Sequence, residues 1–292
     1  MKFAIHGRPV IDSKAIPYLK KLFDHLQKKD CQLQIFLPFR QSLEKKGISL
    51  DHIDTYCERT ELSDPDFILS IGGDGTLLET ISYAGEKGIP ALGINTGRLG
   101  FLATTPRDNC ISAVDSLFTG DYIFDDRTLI QLTSDEDIFN GVNFGLNEFT
   151  ILKRDTSSMI VVHTYIDGDY LNSYWADGLI VSTPTGSTGY SLSCGGPLVM
   201  PKSNNFIISP VSPHNLNVRP MVVSDESIIT FEIESRSKKF LVSLDSRSKS
   251  VPLNTKLTVK KADFCARLVQ MKDYNFLETL RSKLNWGLDL RN

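Results

Sequence analysis

The chain has 292 residues, of which 41% are hydrophobic and 23% charged, and its formal net charge is −3. This composition supplies a sizeable core and excludes a disordered chain, and the length favours two domains. Basic residues do not cluster as a nucleic-acid partner would require, and no run of about 20 apolar residues predicts a membrane span.

The first part of the chain alternates short apolar runs with helical patterns. Four runs predict strands, at Phe3–Ile5, Leu33–Leu37, Phe67–Ile71 and Ala91–Ile94. Two patterns predict helices, the spacing of Ile16, Leu19, Phe23 and Leu26 and the stretch that begins at Leu77. This alternation is typical of a parallel, doubly wound sheet, so we expect an α/β domain over residues 1–110.

From about Leu129 the sequence pattern changes to strand-like apolar runs separated by turn residues. These runs are Leu129–Leu132, Val142–Leu152, Met159–Ile166, Leu179–Val181, Ile228–Ile233, Phe240–Leu244 and Leu257–Val259. They predict an all-β domain over residues 111–271, in which Asp167-Gly168 has the composition of a tight hairpin turn. Leu277, Leu280 and Leu284 return to helical spacing, so residues from about 272 to 292 are expected to form a closing helix on the first domain.

A glycine-rich turn, Gly72-Gly73-Asp74-Gly75-Thr76, follows the third strand and opens a helix. Glycines let backbone amides approach a ligand, and amides at a helix N-terminus favour an anion, so this turn predicts a phosphate site. Thr76 and Glu79 also have the spacing of a capping box, which would explain Thr76 by helix initiation alone. A capping box does not explain Asp74, because a carboxylate repels phosphate unless it faces a metal ion or the reacting hydroxyl.

Two polar motifs stand in the predicted β domain. Asn147-Glu148 suits recognition of a sugar diol or a base edge, although a solvent-facing turn is the more common cause of such a pair. The segment from Asp177 to Pro197 is more specific, because its fourteen residues from 183 to 196 include three Thr, three Ser and four Gly. We interpret it as an ordered ligand loop rather than a flexible linker.

Two further runs accompany these motifs, Asn-Thr-Gly-Arg-Leu-Gly-Phe-Leu at 95–102 and Ser-Pro-His-Asn-Leu-Asn-Val-Arg-Pro at 212–220. The whole set resembles the motifs of the NAD kinase family, and it appears in the same order along the chain as in that family. The resemblance spans about residues 67–245. It implies transfer of the terminal phosphoryl group of ATP to the adenosine 2′-hydroxyl of NAD, giving NADP. It also implies Mg²⁺ or another divalent cation that accompanies ATP, with no metal held by the protein alone, and assembly as a homodimer or homotetramer.

The resemblance implies roles for individual residues. Gly72, Gly73, Gly75 and Thr76 would hold phosphates, and Asp74 would lie at the reacting hydroxyl as base or through the metal. Asn147 and Glu148 would hold the adenosine half. The remaining substrate contacts implied by the resemblance are Phe101, Asp177, Thr188, Gly189, Tyr190, Ser193 and Asp245. Relatives usually carry Ala at Gly189, which implies a looser contact there, and at Asp245 a turn is as good an explanation as a ligand contact.

Two other functions stay open on the sequence. A lipid or other diol kinase shares the glycine turn, and a dinucleotide-binding regulator without catalysis would keep the turn and Asn147-Glu148. The five cysteines are too far apart in sequence for a ligand pair or a disulfide framework, so we expect a soluble cytoplasmic protein.

Overall fold

The computed structural model describes residues 1–154 and 158–287. It contains two compact units, one made of Met1–Asp125 with the chain from Arg267 onward, the other of Asp126–Ala266. The sequence predicts the boundary near residue 110. The two units divide after Asp125, because a helix at Cys110–Thr119 buries Ala113, Val114 and Leu117 in the core of the first unit.

The first unit is an α/β domain. Its elements up to the boundary are β1 Lys2–Gly7, α1 Ile16–Lys28, β2 Gln32–Phe36, α2 Leu37–Glu44, β3 Asp54–Tyr56, β4 Phe67–Gly72, α3 Asp74–Ala84, β5 Ala91–Asn95, β6 Thr105–Pro106 and α4 Cys110–Thr119. Five parallel strands lie in the order β3-β2-β1-β4-β5, with β6 parallel to β5. The predicted parallel sheet is confirmed.

The core of this unit follows from the predicted apolar patterns. Strands β1, β4 and β5 are buried over almost their whole length, as parallel strands covered on both faces are. Helix α1 buries Leu19, Phe23 and Leu26 of the predicted face. Helices α2 and α4 and strand β3 were not predicted. The predicted second strand ends at Leu37, but this residue begins α2, because Pro38 suits the first turn of a helix.

The second unit is built from antiparallel strands. Its elements are β7 Tyr122–Ser134, β8 Phe144–Gly145, β9 Glu148–Leu152, β10 Ile160–Ile166, β11 Asp169–Ala176, β12 Gly178–Ser182, α5 Tyr190–Ser193, β13 Asn205–Val211, β14 Met221–Ser224, β15 Ile229–Glu234, β16 Lys239–Leu244, β17 Arg247–Pro252 and β18 Leu257–Met271. Strands β7 and β18 begin or end outside the unit. One sheet has the order β14-β13-β12-β9-β16-β17, and β11, β10, β15 and β18 pair in another. The predicted β-rich domain is confirmed.

Side chains from the strands of both sheets form one apolar cluster, in which the rings of Phe149 and Phe231 stack at 5.6 Å. Asp167 and Gly168 connect β10 to β11 with φ of 54° and 90°, as a two-residue hairpin with positive φ at both positions requires. The strand-like run Val142–Leu152 forms two strands, β8 and β9, which the turn at Asn147 separates. The chain leaves the ladder between β8 and β9, where its amides bond to a side chain instead.

The chain then returns to the first unit. The end of β18 pairs with β5 through Leu268 and Ala91, and α6 spans Phe276–Leu284. Asn275 begins this helix as its N-cap, accepting a hydrogen bond from the Leu277 amide at 2.9 Å, and Leu280 is buried. The predicted closing helix is confirmed. Across the described ranges, no helix is both long enough and apolar enough to cross a membrane.

Candidate active site

The glycine turn connects β4 to α3 in the first unit. Gly73 is the N-cap of α3 in an extended conformation, and no side chain caps the helix there. A Cβ on Gly72 would collide with the hydroxyl of Thr76, so the tight approach of strand and helix requires glycine at this position. The first amides of α3 are therefore left available to an anion, and the phosphate site at this turn stays a prediction.

The predicted capping box is wrong. Helix α3 begins at Asp74, which makes Thr76 its third residue, and the Thr76 amide donates to the Gly73 carbonyl at 3.0 Å. Thr76 is buried, and Glu79 accepts a hydrogen bond from Arg8 rather than from the backbone at the helix start. The helix starts earlier than the spacing suggested because the Gly73 carbonyl accepts from the amides of both Thr76 and Leu77, which closes the first turn before Thr76.

Three consecutive backbone amides hold the Asp74 carboxylate. The Phe101 amide donates to Oδ2 at 2.8 Å, and those of Leu102 and Ala103 donate to Oδ1 at 3.1 and 2.9 Å. A Cβ on Gly100 would collide with the same carboxylate. Asp74 and Phe101 were both predicted, and the structure brings them together, but through the Phe101 backbone. Gly100 was not predicted as a site residue, although it lies inside the run 95–102.

The loop that carries these amides is joined to the glycine turn. The Thr96 amide donates to the Gly72 carbonyl at 3.1 Å. The buried side chain of Asn95 closes the loop, since its Oδ1 accepts from the Gly97 amide at 2.8 Å and its Nδ2 donates to the Ala103 carbonyl at 3.3 Å. Asp74 is thus held in one geometry by backbone that is itself hydrogen-bonded to the turn.

In the second unit, Asp245 organises the turn that carries Asn147 and Glu148. Its Oδ2 accepts from the Leu146 amide at 2.8 Å, and its Oδ1 accepts from the amides of Asn147 and Glu148 at 2.7 and 3.2 Å. Burial raises the pKa of Asp245, and these amides and the nearby Arg247 oppose that rise. Asp245 was predicted as a substrate contact, but its carboxylate oxygens are engaged by the chain's own backbone.

The hydroxyl-rich loop after β12 packs on the same turn. The Thr183 hydroxyl donates to the Leu146 carbonyl at 2.6 Å, and the Thr183 amide donates to the Asn147 carbonyl at 2.9 Å. A Cβ on Gly186 would collide with that Asn147 carbonyl. The loop is therefore ordered, as the sequence analysis predicted. Thr183 and Gly186 were not singled out, because only the density of hydroxyls and glycines marked the loop.

Two buried oxygens at this turn lack hydrogen-bond partners among the described residues, Oδ1 of Asn147 and Oε2 of Glu148. Gly189 lies beside them, since a Cβ there would stand 3.1 Å from Glu148 Oε2. Burial raises the pKa of Glu148 to about 8, the charge of Asp245 adds to the rise, and the Tyr190 amide opposes it. Because buried polar atoms are normally paired, these two oxygens indicate a ligand site.

The other predicted contacts are distributed more widely in the second unit. Thr188 donates to the Thr185 carbonyl at 3.2 Å, while the side chains of Tyr190 and Ser193 on the short helix α5 are exposed. Asp177 forms an ion pair with Lys153 at 2.6 Å. It precedes the first residue of β12, whereas Glu148 pairs with the last residue of that strand. The structure therefore gathers Asn147, Glu148 and Gly189 and places Asp177 outside this cluster.

The described ranges contain no group of three His, Cys, Asp or Glu side chains that could hold a metal ion. Mg²⁺ is commonly bound through one or two carboxylates together with substrate phosphates and water. Asp74, a single carboxylate beside a turn suited to phosphate, fits a cation that a phosphorylated ligand brings with it.

Both units match known families. Residues 11–122 match the ATP-NAD kinase N-terminal domain, and residues 146–271 match the ATP-NAD kinase C-terminal domain. The chain belongs to the NAD kinase family. It is 60% identical to an NAD kinase of Cytophaga hutchinsonii and 42% identical to NAD kinases of Flavobacterium johnsoniae and Bacteroides fragilis, in each case over all of both chains.

Solved NAD kinase structures share the fold. An NAD kinase from Archaeoglobus fulgidus in complex with ATP superposes with a TM-score of 0.76 at 27% identity, covering 98% of this chain and 99% of that one. Yeast NADH kinase complexed with NADH superposes with a TM-score of 0.88 at 18% identity, covering 99% of this chain and 88% of that one. This chain thus shares its fold, an N-terminal α/β domain followed by an all-β domain, with both of these structures.

Proposed function

We propose that this chain transfers the terminal phosphoryl group of ATP to the 2′-hydroxyl of the adenosine ribose of NAD, giving NADP. One observation carries the mechanism. A single carboxylate, Asp74, is held by three amides beside an uncapped helix N-terminus, in a chain whose two units both match NAD kinase domains. Phosphoryl transfer needs alignment and charge neutralisation more than covalent catalysis, and these parts suit it.

The glycine turn is proposed to bind the donor. The free amides and the dipole at the start of α3 favour phosphate oxygens, and Gly72, Gly73 and Gly75 let the backbone approach them. Thr76 supports the turn from its buried position. A divalent cation bound to the phosphates would be held by ATP and Asp74, and it would neutralise charge on the transferred group.

Asp74 is proposed as the general base. Its carboxylate would accept the proton of the 2′-hydroxyl as the oxygen attacks the terminal phosphorus of ATP, the bond from that phosphorus to the bridging oxygen breaks, and ADP leaves. The amides of residues 101–103 keep the carboxylate oriented, which removes the cost of ordering it when the substrate binds. Phe101 is proposed to pack beside the substrate.

Asn147 and Glu148 are proposed to bind the adenosine half of NAD. At neutral pH the raised pKa leaves Glu148 protonated, so its carboxyl can donate a hydrogen bond as well as accept one, while Asn147 Oδ1 accepts one from a hydroxyl or amino group. We also propose that NAD contacts five further residues, namely Asp177, Thr188, Gly189, Tyr190 and Ser193. We propose Asp245 as the residue that positions the pair.

The two alternative functions, a diol-lipid kinase and a non-catalytic regulator, each leave some of the site residues unexplained. A diol-lipid kinase explains the glycine turn but leaves the two buried, unpartnered oxygens of Asn147 and Glu148 without a purpose. A non-catalytic regulator leaves Asp74 unexplained, because a carboxylate next to phosphates weakens binding unless chemistry or a metal compensates.

Assembly as a homodimer or homotetramer is also proposed. On the second unit, the edge strand β14 exposes Met221 and Val222, and Leu216 in the preceding loop is 82% exposed. An edge strand with apolar side chains is a natural surface for association with a second copy. Light scattering after size exclusion measures the copy number. Cytoplasmic location is proposed because none of the five cysteines, all within the described ranges, forms a disulfide.

The decisive experiment incubates the chain with ATP, Mg²⁺ and NAD and detects NADP with an NADP-specific dehydrogenase. We expect NADP to form, and we expect Asp74→Asn to lower turnover by at least about 100-fold while calorimetry still detects NAD binding. Asp64→Asn, which changes an exposed carboxylate paired with Lys87, is the matched control and should retain full turnover. Absence of NADP with the unaltered chain would overturn the proposed function, and full turnover of Asp74→Asn would remove Asp74 from the mechanism.

A further inference from the structure

Arg8 lies at the carboxyl end of β1, next to the glycine turn. Strands β1 and β4 are parallel neighbours in which Gly7 pairs with Ile71. Because parallel strands end at the same edge of a sheet, the residue after Gly7 emerges beside the residue after Ile71, which is the first glycine of the turn. The fold thus brings a cation from the start of the chain to the turn.

The guanidinium of Arg8 is held on the turn and still has free donors. Its Nη2 donates to the Gly75 carbonyl at 2.9 Å, and its Nε donates to Glu79 Oε2 at 3.0 Å. A guanidinium has five N–H groups, and the other three of Arg8 have no partner among the residues that the structure describes. The side chain is 46% exposed, so these donors are accessible to a ligand.

Glu79 orients Arg8, and His6 supports Glu79. His6 is fully buried, stacks on Phe36 at 4.5 Å and shares a hydrogen bond of 3.1 Å with the Tyr56 hydroxyl through Nδ1. Its Nε2 faces Glu79 Oε1 at 3.7 Å. His6 and then Arg8 lower the pKa of Glu79, against the opposing effect of burial. Glu79 is therefore an anion fixed between a buried ring and the guanidinium.

Positive charge is what the turn itself lacks. The residues from 72 to 76 include one ionisable group, the Asp74 carboxylate, which repels the phosphates that the backbone amides attract. A guanidinium with a free edge suits this position, because its planar fork binds two phosphate oxygens at once and it remains charged at all physiological pH values.

We propose that Arg8 binds a phosphate group of the triphosphate donor and that Glu79 is its positioning residue. This inference rests on the proposed function for the identity of the donor. It adds a residue that stands outside every motif of the glycine turn. Arg8 is proposed to bind ATP, whereas Asn147 and Glu148 are proposed to bind NAD. Loss of Arg8 should therefore weaken ATP binding and leave NAD binding unchanged.

The test compares Arg8→Ala and Arg8→Lys with a matched control, Arg40→Ala. Arg40 also pairs with a glutamate through Nε, at 2.7 Å, but on α2. We expect Arg8→Ala to raise the KM for ATP by about 10- to 100-fold, as loss of a charge-assisted hydrogen bond does, with the KM for NAD changed less than about twofold. Arg8→Lys should recover part of the loss, and Arg40→Ala should match the unaltered chain.

Glu79→Gln tests the positioning role. The proposal expects it to raise the KM for ATP, with an effect that does not add to that of Arg8→Ala in the double variant, because both act through one contact. Fully additive effects would show that Glu79 acts independently of Arg8, and the positioning role would be wrong.

Calorimetry with ATP and with inorganic tripolyphosphate, without NAD, separates this proposal from the proposed function. If the unaltered chain makes no NADP but binds tripolyphosphate more tightly than Arg8→Ala does, the function fails and the Arg8 site stands. If Arg8→Ala folds, as judged by circular dichroism, and binds ATP and tripolyphosphate like Arg40→Ala, Arg8 serves only the fold and the proposal is overturned. Equal loss of NAD and ATP affinity would also overturn it.

Discussion

Glu148→Gln should stabilise the protein at alkaline pH and do little at acidic pH. Glu148 is 9% exposed, and burial together with Asp245 raises its pKa from 4.5 to about 8. Glutamine keeps the shape of the protonated carboxyl but cannot ionise. The substitution therefore removes a pH-dependent cost while preserving most of the packing.

The magnitude follows from the raised pKa. Between pH 4.5 and 8 the folded state keeps a proton on Glu148 that the unfolded state releases, so stability falls as pH rises through this window and is constant above it. At about 1.36 kcal/mol for each pKa unit, the full difference is about 5 kcal/mol, an upper bound because a buried site relaxes when it is charged. We expect the free energy of unfolding of Glu148→Gln, relative to the unaltered chain, to rise by about 2 to 5 kcal/mol from pH 5 to pH 8.5.

Urea unfolding at several pH values measures this difference. The chain has two tryptophans, Trp175 in the second unit and Trp286 in the first, so a Trp286→Phe background lets fluorescence report the unit that contains Glu148. Glu136→Gln, at an exposed position, is the control and should give the same pH profile as the unaltered chain. Parallel stability profiles for Glu148→Gln and the unaltered chain would refute the raised pKa and, with it, the proposal that Glu148 is a hydrogen-bond donor to NAD.

Two further substitutions test how the site is positioned. Gly100→Ala should lower turnover by at least about 100-fold, because the added Cβ displaces the Asp74 carboxylate. Gly97→Ala in the same loop should be active, because its Cβ would meet only Asn95 Oδ1, at an ordinary contact distance of 3.9 Å. Equal steady-state rates for the two variants would contradict the account of Asp74. Asp245→Asn should lower the free energy of unfolding by about 2 to 4 kcal/mol and weaken NAD binding, because the amide side chain replaces one acceptor oxygen with a donor that faces backbone amides. Denaturant titration and calorimetry measure both effects, with Asp263→Asn, at an exposed carboxylate, as the control.

The sequence predicted those helices and strands whose buried residues form a recognisable apolar run or spacing along the chain. The predicted strand Phe67–Ile71 lies within β4, Phe67–Gly72, because a parallel strand buried on both faces is a continuous apolar run. Strand β3, Asp54–Tyr56, has three residues and no period that a pattern could show. The run Val142–Leu152 is apolar enough for one strand, and its break is set by Asp245, whose carboxylate lies 97 to 99 residues away along the chain.

The residues of the candidate site also fall into those that a local motif reveals and those that only the folded chain brings together. The glycines on either side of Asp74 are its neighbours along the chain, and Asn147 directly precedes Glu148. The sequence alone therefore marked these residues and the chemistry that they suit. The groups that orient them are remote in sequence: amides 27 to 29 residues after Asp74, and the Arg8 guanidinium 67 residues before Gly75.

The sequence by itself thus determined the α/β and all-β halves and the family, and it marked the residues that we propose as reacting groups, because periodicity and short motifs are properties of neighbouring residues. Only the tertiary structure decided that the Asp245 carboxylate accepts hydrogen bonds from the amides of residues 146–148, where we propose that it positions Glu148, and that Thr76 caps no helix. Hydrogen bonds and burial depend on which distant segments meet, and no local pattern records that.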